Sequence, residues 1–441
     1  MLRSGARLAA TLFTMALMLG LTAGSAFAGQ VAGIQTHVLW GNVDDAQMRH
    51  QLDLVKASGA RMTRVDVGWA SLQQGGPDGY SSWYLGKLDG LVDAAHARGL
   101  SLLLTFMNSP CWASTAPETL KQGCAGSWWD RGVMGYAPSD PQAYARALAF
   151  LAARYGDKVA AWEIWNEPNH PDFFKASDQA AAYARLLKAA YPAVKAANPR
   201  AVVVGGSLSQ SDQAFTQRLY DLGVKGSFDA FSVHPYSDDV SPLDLRSTID
   251  ARYSFIRGVP AIRNVMLRNG DSRPIWLTES GWSTSTLRSP DHWRNGVSEA
   301  TQATFMRQQA SQIAKWPYVK VNIWFNLLDR GSDRADKYDN CGLLRVDGSA
   351  KPAYTAFRAA AAMLAVGGTA APAPAPVAKP PTTTTAAPKT ATTATKKKRS
   401  AKQRRKARRA RAARARRAKA RRARAAARAR AHRRHRHAAH R

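Results

Sequence analysis

Along most of the chain, short apolar and β-branched runs alternate with longer segments in which apolar residues recur every three or four positions. Four runs open the series: GIQTHVLW (33–40), RMTRVDVGW (61–69), SLLLTFM (101–107) and VAAWEIWN (159–166). Four more follow: AVVVGG (201–206), FDAFSVH (228–234), PIWLTE (274–279) and VKVNIWF (319–325). Runs of this length and composition predict strands. Between them, LGKLDGLVDAAHARG (85–99) and DQAAAYARLLKAAYPAVKAA (178–197) have the period of helices with one buried face. Eight strands alternating with helices predict an α/β fold whose parallel sheet closes into a (β/α)8 TIM barrel. An open doubly wound sheet is the alternative, although no GxGxxG follows the first run to support its dinucleotide-binding form.

The two ends break this pattern. Residues 1–28 carry Arg3 and Arg7, an apolar run from Leu8 to about Leu21, and then Ala26-Phe27-Ala28. A positive head, a short apolar run and a small-x-small site read as a signal peptide, so a secreted or cell-surface protein is expected. The run falls short of the ~20 residues that span a bilayer, and no transmembrane segment is expected in the mature chain. Residues 29–366 are expected to form the barrel. Residues 367–395 read as a Pro/Thr/Ala-rich linker and 396–441 as a disordered basic tail.

Charge follows the same division. The whole chain carries +32, yet 24 Lys and Arg fall in residues 396–441, where there is no Asp or Glu. Residues 29–366 hold 35 basic and 31 acidic side chains, so the basicity belongs to the tail and not to the barrel. Such a tail is expected to bind an anionic cell-surface polymer or another polyanion, more weakly as salt rises. No aromatics interleave its charges, which argues against base stacking and specific nucleic acid recognition. Its histidines are irregularly spaced among arginines, and no metal site or cofactor is expected. Of the three cysteines, Cys111 and Cys124 can close a small loop in an oxidising compartment. Cys341 can instead pair with either or stay free and buried.

Candidate chemistry lies in WEIWNEPNH (162–170), which holds Glu163 and Glu167. In a barrel of this kind, reacting groups sit where strands end. A strand continuing through this stretch gives Glu163, Trp165 and Glu167 one parity and puts Glu163 ~13 Å deeper. Glu163 is then expected to be a paired structural carboxylate inside the barrel or near its base. Glu167, just before Pro168, is the candidate for chemistry. PIWLTESGW (274–282) supplies a partner, Glu279, at the end of the seventh run. Glycosidic cleavage with retention needs two carboxyl groups about 5–5.5 Å apart, which facing strand ends can supply. Two rim salt bridges are the plainer reading of the same pair.

The strand-four ending W-E-x-W-N-E-P-N and the strand-seven ending T-E-S-G-W resemble clan A glycoside hydrolases, closest to family 39 with family 5 as neighbour. SPCWAS (109–114), SVHPY (232–236) and GLLRVDGSAKPAYTAF (342–357) are similar to further family 39 segments. Family 5 members usually carry a histidine near the end of strand three, where this chain reads LLLTFMNSP. The resemblance covers roughly residues 30–365. It implies Glu167 as general acid/base, Glu279 as nucleophile and Asn166 as the donor to the sugar 2-hydroxyl. It further implies that Tyr236 and Arg64 hold the nucleophile, with His234 tuning either carboxylate or serving as a structural histidine. Trp324 would floor the central subsite and Trp282 line its rim, while His37 would reach a substrate hydroxyl. Trp40, Trp69, Trp112, Trp128 and Trp129 fall at or after strand ends and are either sugar platforms or core.

The expected function is thus a secreted retaining β-glycosidase acting on a β-linked poly- or oligosaccharide. A carbohydrate-binding barrel without turnover, and a polyanion-binding protein acting through its tail, are the competing readings. The sequence does not name the sugar, the endo or exo mode, or the oligomeric state.

Overall fold

The structure, a computed structural model, describes residues 29–245 and 250–366. The expected signal peptide, linker and tail lie outside the described residues. Eight strands form the sheet: β1 (Val31–Thr36), β2 (Met62–Gly68), β3 (Ser101–Met107), β4 (Ala161–Ile164), β5 (Val202–Ser209), β6 (Ala230–His234), β7 (Ile275–Ser280) and β8 (Val319–Trp324). Each strand pairs in parallel with the next. β1 also pairs with β8, Val31 opposite Val321 and Ile34 opposite Trp324, so the sheet is a closed (β/α)8 TIM barrel. That pairing excludes the open sheet.

One principal helix follows each strand: α1 (Asp45–Ala57), α2 (Ser82–Ala97), α3 (Pro141–Tyr155), α4 (Gln179–Ala197), α5 (Gln213–Asp221), α6 (Phe255–Arg268), α7 (Glu299–Ile313) and α8 (Pro352–Ala365). Their starts are encoded locally. Asp44 accepts from the Gln47 amide while the Gln47 side chain accepts from Asp44 N–H, a capping box that opens α1. Asp140 caps α3 immediately before Pro141, a residue whose missing N–H costs nothing in a first turn. Along α1, Met48, Leu52 and Val55 recur at helical spacing and are buried against the sheet.

Alternation along the strands sorts side chains between two cores. Val31, Met62, Leu103, Ala161, Ala230 and Val321 plug the barrel interior, while Ile34, Val65, Leu104 and Trp162 pack outward under the helices. Two positions further along the same inward faces, the chain places Arg64, Thr105, Glu163 and Ser232. An apolar plug is therefore capped by a polar layer near the carboxyl ends of the strands.

The connections that rise from those ends are pinned. Cys111 and Cys124 form a disulfide in the β3–α3 connection, their Cα atoms 5.6 Å apart, and Cys341 is free and buried. Folding thus selects one of the pairings that spacing left open. After β8, Lys351 Nζ donates to Asp329 Oδ1 at 2.7 Å, to Thr284 Oγ1 at 3.0 Å and to the Asn340 carbonyl at 3.2 Å. The ammonium has no exposure and three acceptors, which is what makes a buried ion pair tolerable.

Candidate active site

Arg64, on the inward face of β2, is fully buried and organises the site. Its Nε donates to Glu163 Oε2 at 2.7 Å. One terminal nitrogen donates to Glu279 Oε1 at 2.7 Å and to Gln35 Oε1 at 2.9 Å, and the other to Asn166 Oδ1 at 2.8 Å. The second oxygen of Glu279 accepts from the Tyr236 hydroxyl at 2.8 Å. Across from it, Glu167 Oε1 lies 3.0 Å from His234 Nδ1, whose Nε2 lies 3.2 Å from Ser207 Oγ. One oxygen each of Glu167 and Glu279 and one His234 nitrogen all fall within 4.8 Å of one another. Three ligating groups this close can in principle hold a cation, but both Glu279 oxygens already accept hydrogen bonds, one from a guanidinium.

The structure brings together six of the residues singled out in sequence: Glu167, Glu279, Asn166, Tyr236, His234 and Arg64. Of the two positions expected for Glu163, inside the barrel or near its base, it takes the first, at a shallower depth than the strand spacing implied. This carboxylate is buried as expected, accepting from Arg64, from Thr105 at 2.8 Å and from Ser232 at 2.8 Å. It does not lie near the barrel base, however, because Arg64 alone bridges it to Glu279. The parity argument fails for a local reason. β4 ends at Ile164, and Trp165 and Glu167 take left-handed φ values of +66° and +45°. The chain therefore turns out of the strand, Trp165 packs edge-on against Phe174 among the helices, and Glu167 is aimed over the barrel mouth.

Trp324 and Trp282 are also corrected. Alternation along β8 turns Val321 and Ile323 inward and Trp324 outward. Trp324 is 1% exposed and packs on Trp282, which in turn packs on Phe305 of α7 and donates to the Val240 carbonyl. Both indoles are buried, so neither presents an open face at the barrel mouth. The next residue, Phe325, is the half-buried aromatic at the mouth, its ring edge-on to His37 at 5.7 Å. Trp69 and Trp128 are core, Trp112 is half-buried, and Trp40 and Trp129 are exposed.

His37 does reach the mouth, stacked on Trp40 with centroids 4.3 Å apart. Both ring nitrogens are buried without a partner, and burial pulls its pKa down to about 4, so it is neutral over the ordinary pH range. Sequence reasoning missed Gln35, Thr105, Ser207 and Ser232. Their only signal was a polar residue at an inward strand position, which is visible once the register is known.

The charges are unequal. Four carboxylates, Glu163, Glu167, Glu279 and Asp66, the last 3.5 Å from Arg64, gather around one buried guanidinium. Burial would lower the pKa of His234, yet Glu279 and Glu167 outweigh it and leave it above its ordinary value. Burial would raise that of Glu163, but Arg64 outweighs it and keeps the group ionised. Tyr236 is pushed far up, first by burial and then by Glu279, so its hydroxyl stays a donor. Glu279 thus sits between a guanidinium and a phenol, a setting for an anion. Glu167 shares a proton-bearing contact with an imidazole, a setting for proton transfer.

Comparisons with known proteins bear on the same barrel. A β-xylosidase from Caldicellulosiruptor saccharolyticus is 27% identical over 297 residues, 64% of this chain and 57% of that relative. The chain therefore spans little more than half the length of that relative. Among solved structures, a family 39 glycoside hydrolase from Bacteroides cellulosilyticus superposes with a TM-score of 0.57 at 22% identity, covering 76% of this chain and 63% of that one. A family 39 β-xylosidase from Caulobacter crescentus gives 0.53 at 18%, covering 77% and 73%. Likeness at these identities speaks to the fold. The family model for cellulases matches residues 22–319, despite the missing strand-three histidine, and on that span the chain belongs to the cellulase family, glycosyl hydrolase family 5.

Proposed function

We propose that the protein is a secreted, retaining β-glycosidase that hydrolyses a β-linked poly- or oligosaccharide. The observation that carries this reading is the approach of Glu167 and Glu279 to within 4.8 Å, with Glu279 held by Arg64 and Tyr236. Inverting enzymes need a wider gap, about 6.5–9.5 Å, to seat a water between the carboxyls. In the first step Glu167 gives its proton to the leaving oxygen while Glu279 attacks the anomeric carbon, forming a glycosyl ester. In the second, Glu167 takes a proton from water, the water oxygen displaces Glu279, and both groups are restored. Arg64 holds Asn166 Oδ1 and so leaves the Asn166 amide N–H2 to donate to the sugar 2-hydroxyl. The β-xylosidase relatives and the family model agree with a β-linked substrate. A barrel that only binds sugar has no use for an acid/base pair this close.

Proton NMR of the first-formed product tests the stereochemistry. A β-configured hemiacetal is expected before mutarotation, and an α-configured one would refute the double displacement. We further propose that residues 1–28 direct export and that residues 396–441 tether the enzyme to an anionic surface. Deleting residues 368–441 is expected to leave turnover of soluble glycosides within about twofold. Retention on anionic cell-wall material in low salt should be lost. Loss of turnover together with retention would favour the tail as the main functional part.

A further inference from the structure

We propose that the mouth of the barrel is built to dock an acidic glycan, one bearing carboxylate groups along an extended chain. This rests on the reading of the site as one that cleaves glycans and adds the chemical class of the substrate. Among the described residues, the aromatic side chains left exposed are Trp40, Trp83, Trp129, Phe173, Trp293 and Tyr338. They follow β1, β2, β3, β4, β7 and β8 respectively, each in the connection that rises from a strand's carboxyl end or in the first turn of the helix after it. The opposite end of the barrel and the helix flanks expose none. Exposed rings confined to the connections at the end of the barrel where the carboxylate pair lies mark a binding surface and not scattered apolar residues. Apolar faces of sugar rings are what such platforms take.

Charge narrows the occupant. Four of these rings carry a cation: Arg330 lies 4.4 Å from the centroid of Trp40, Lys87 5.3 Å from Trp83, Lys337 5.2 Å from Trp293, and the same Lys337 5.8 Å from Tyr338. Arg294 adds a second cation over Trp293 at 5.7 Å. Arg330, Lys87 and Arg294 form no ion pair with a carboxylate among the described residues, whereas Lys337 feels the charges of Asp238 and Glu167. Lys87 donates only to the carbonyls of Trp40 and Val43, and Lys337 to that of Trp293. The acids nearby are engaged: Asp239 holds His292 and Asn295, while Asp333 and Asp336 accept from backbone amides of their own loop. Arg330 is exposed and its side chain makes no hydrogen bond among the described residues. Trp40, stacked on His37, serves as its mount, and a guanidinium 4.4 Å from the indole centroid, without a carboxylate partner among the described residues, can take one from a ligand. A neutral chain would leave these charges unused.

The test is titration of the full chain with cellohexaose and with its C6-oxidised, carboxylate-bearing form, read by tryptophan fluorescence. All 13 tryptophans lie between residues 40 and 324, so this signal reports on the barrel and not on the basic tail. The oxidised oligomer is expected to bind at least about tenfold more tightly than the neutral one. In Arg330→Gln, and more so in the Arg330→Gln/Lys87→Gln double variant, that ratio should fall to within about threefold. Equal affinities in the unsubstituted protein, no fluorescence change with either oligomer, or a ratio untouched by both variants would each overturn the proposal. The stereochemistry of turnover is read separately, so this inference and the glycosidase reading fail independently.

Discussion

Glu279→Gln is expected to reduce turnover on the order of 10⁴- to 10⁶-fold, the scale at which removing a covalent nucleophile acts. The substitution keeps the shape and an acceptor for Arg64 or Tyr236, but removes the negative charge that attacks the anomeric carbon. Arg64 keeps Glu163, Gln35 and Asn166 as partners, so the polar layer and the fold should survive. In the unsubstituted protein, a 2-fluoro glycoside with a good leaving group should label one residue, and peptide mass mapping should place it on Glu279. Hydrolysis of aryl β-glycosides and of a β-glycan panel by Glu279→Gln at unchanged rates would falsify the assignment. So would an adduct on any other carboxylate, Glu163 included.

The second large effect concerns Glu167, and it depends on the leaving group. With an unactivated sugar or alcohol leaving group, Glu167→Gln should lose on the order of 10²- to 10⁴-fold, the usual contribution of a positioned acid. With a highly acidic phenol, departure needs no proton, so the first step should be nearly spared. Glu167→Ala opens space beside the anomeric carbon, and added azide should then accelerate turnover and yield a glycosyl azide of retained configuration. A uniform loss across leaving groups, with no azide product, would mean that Glu167 is not the proton donor. His234 marks the difference between the two carboxylates: it contacts Glu167 at 3.0 Å but lies 3.8 Å from Glu279, whose oxygens are taken by Arg64 and Tyr236.

The strands were legible because their runs are short, apolar and evenly spaced among helical segments. The observed β3 has the predicted bounds, and the other strands differ by a few residues at their ends. Both carboxylates could be found because motif and strand end coincide at WNEPN and at TESGW. What went astray did so at strand ends. Trp165 was placed by extending strand alternation past the point where β4 breaks off into left-handed residues, and Trp324 by a family resemblance that does not fix which of two neighbouring aromatics at the end of β8 turns to the helices. Side-chain direction at a strand end depends on one or two backbone angles, and local sequence does not specify these.

The sequence by itself determined the alternation of strands and helices, the two candidate carboxylates at strand ends and the separation of a nearly neutral body from a strongly basic tail. These properties depend on periodicity, composition and short motifs, all local along the chain. Only the tertiary structure decided that the sheet closes, that Arg64 joins Glu163, Glu279 and Asn166 in one network, that Cys111 pairs with Cys124, and that the exposed aromatics lie in connections at one end of the barrel. Those outcomes join residues far apart in the chain, Val31 with Val321 across the closing strands and Arg64 with Glu279, 215 positions on, in the site. Contacts at such separations exist only once the barrel's register has set which side chains meet.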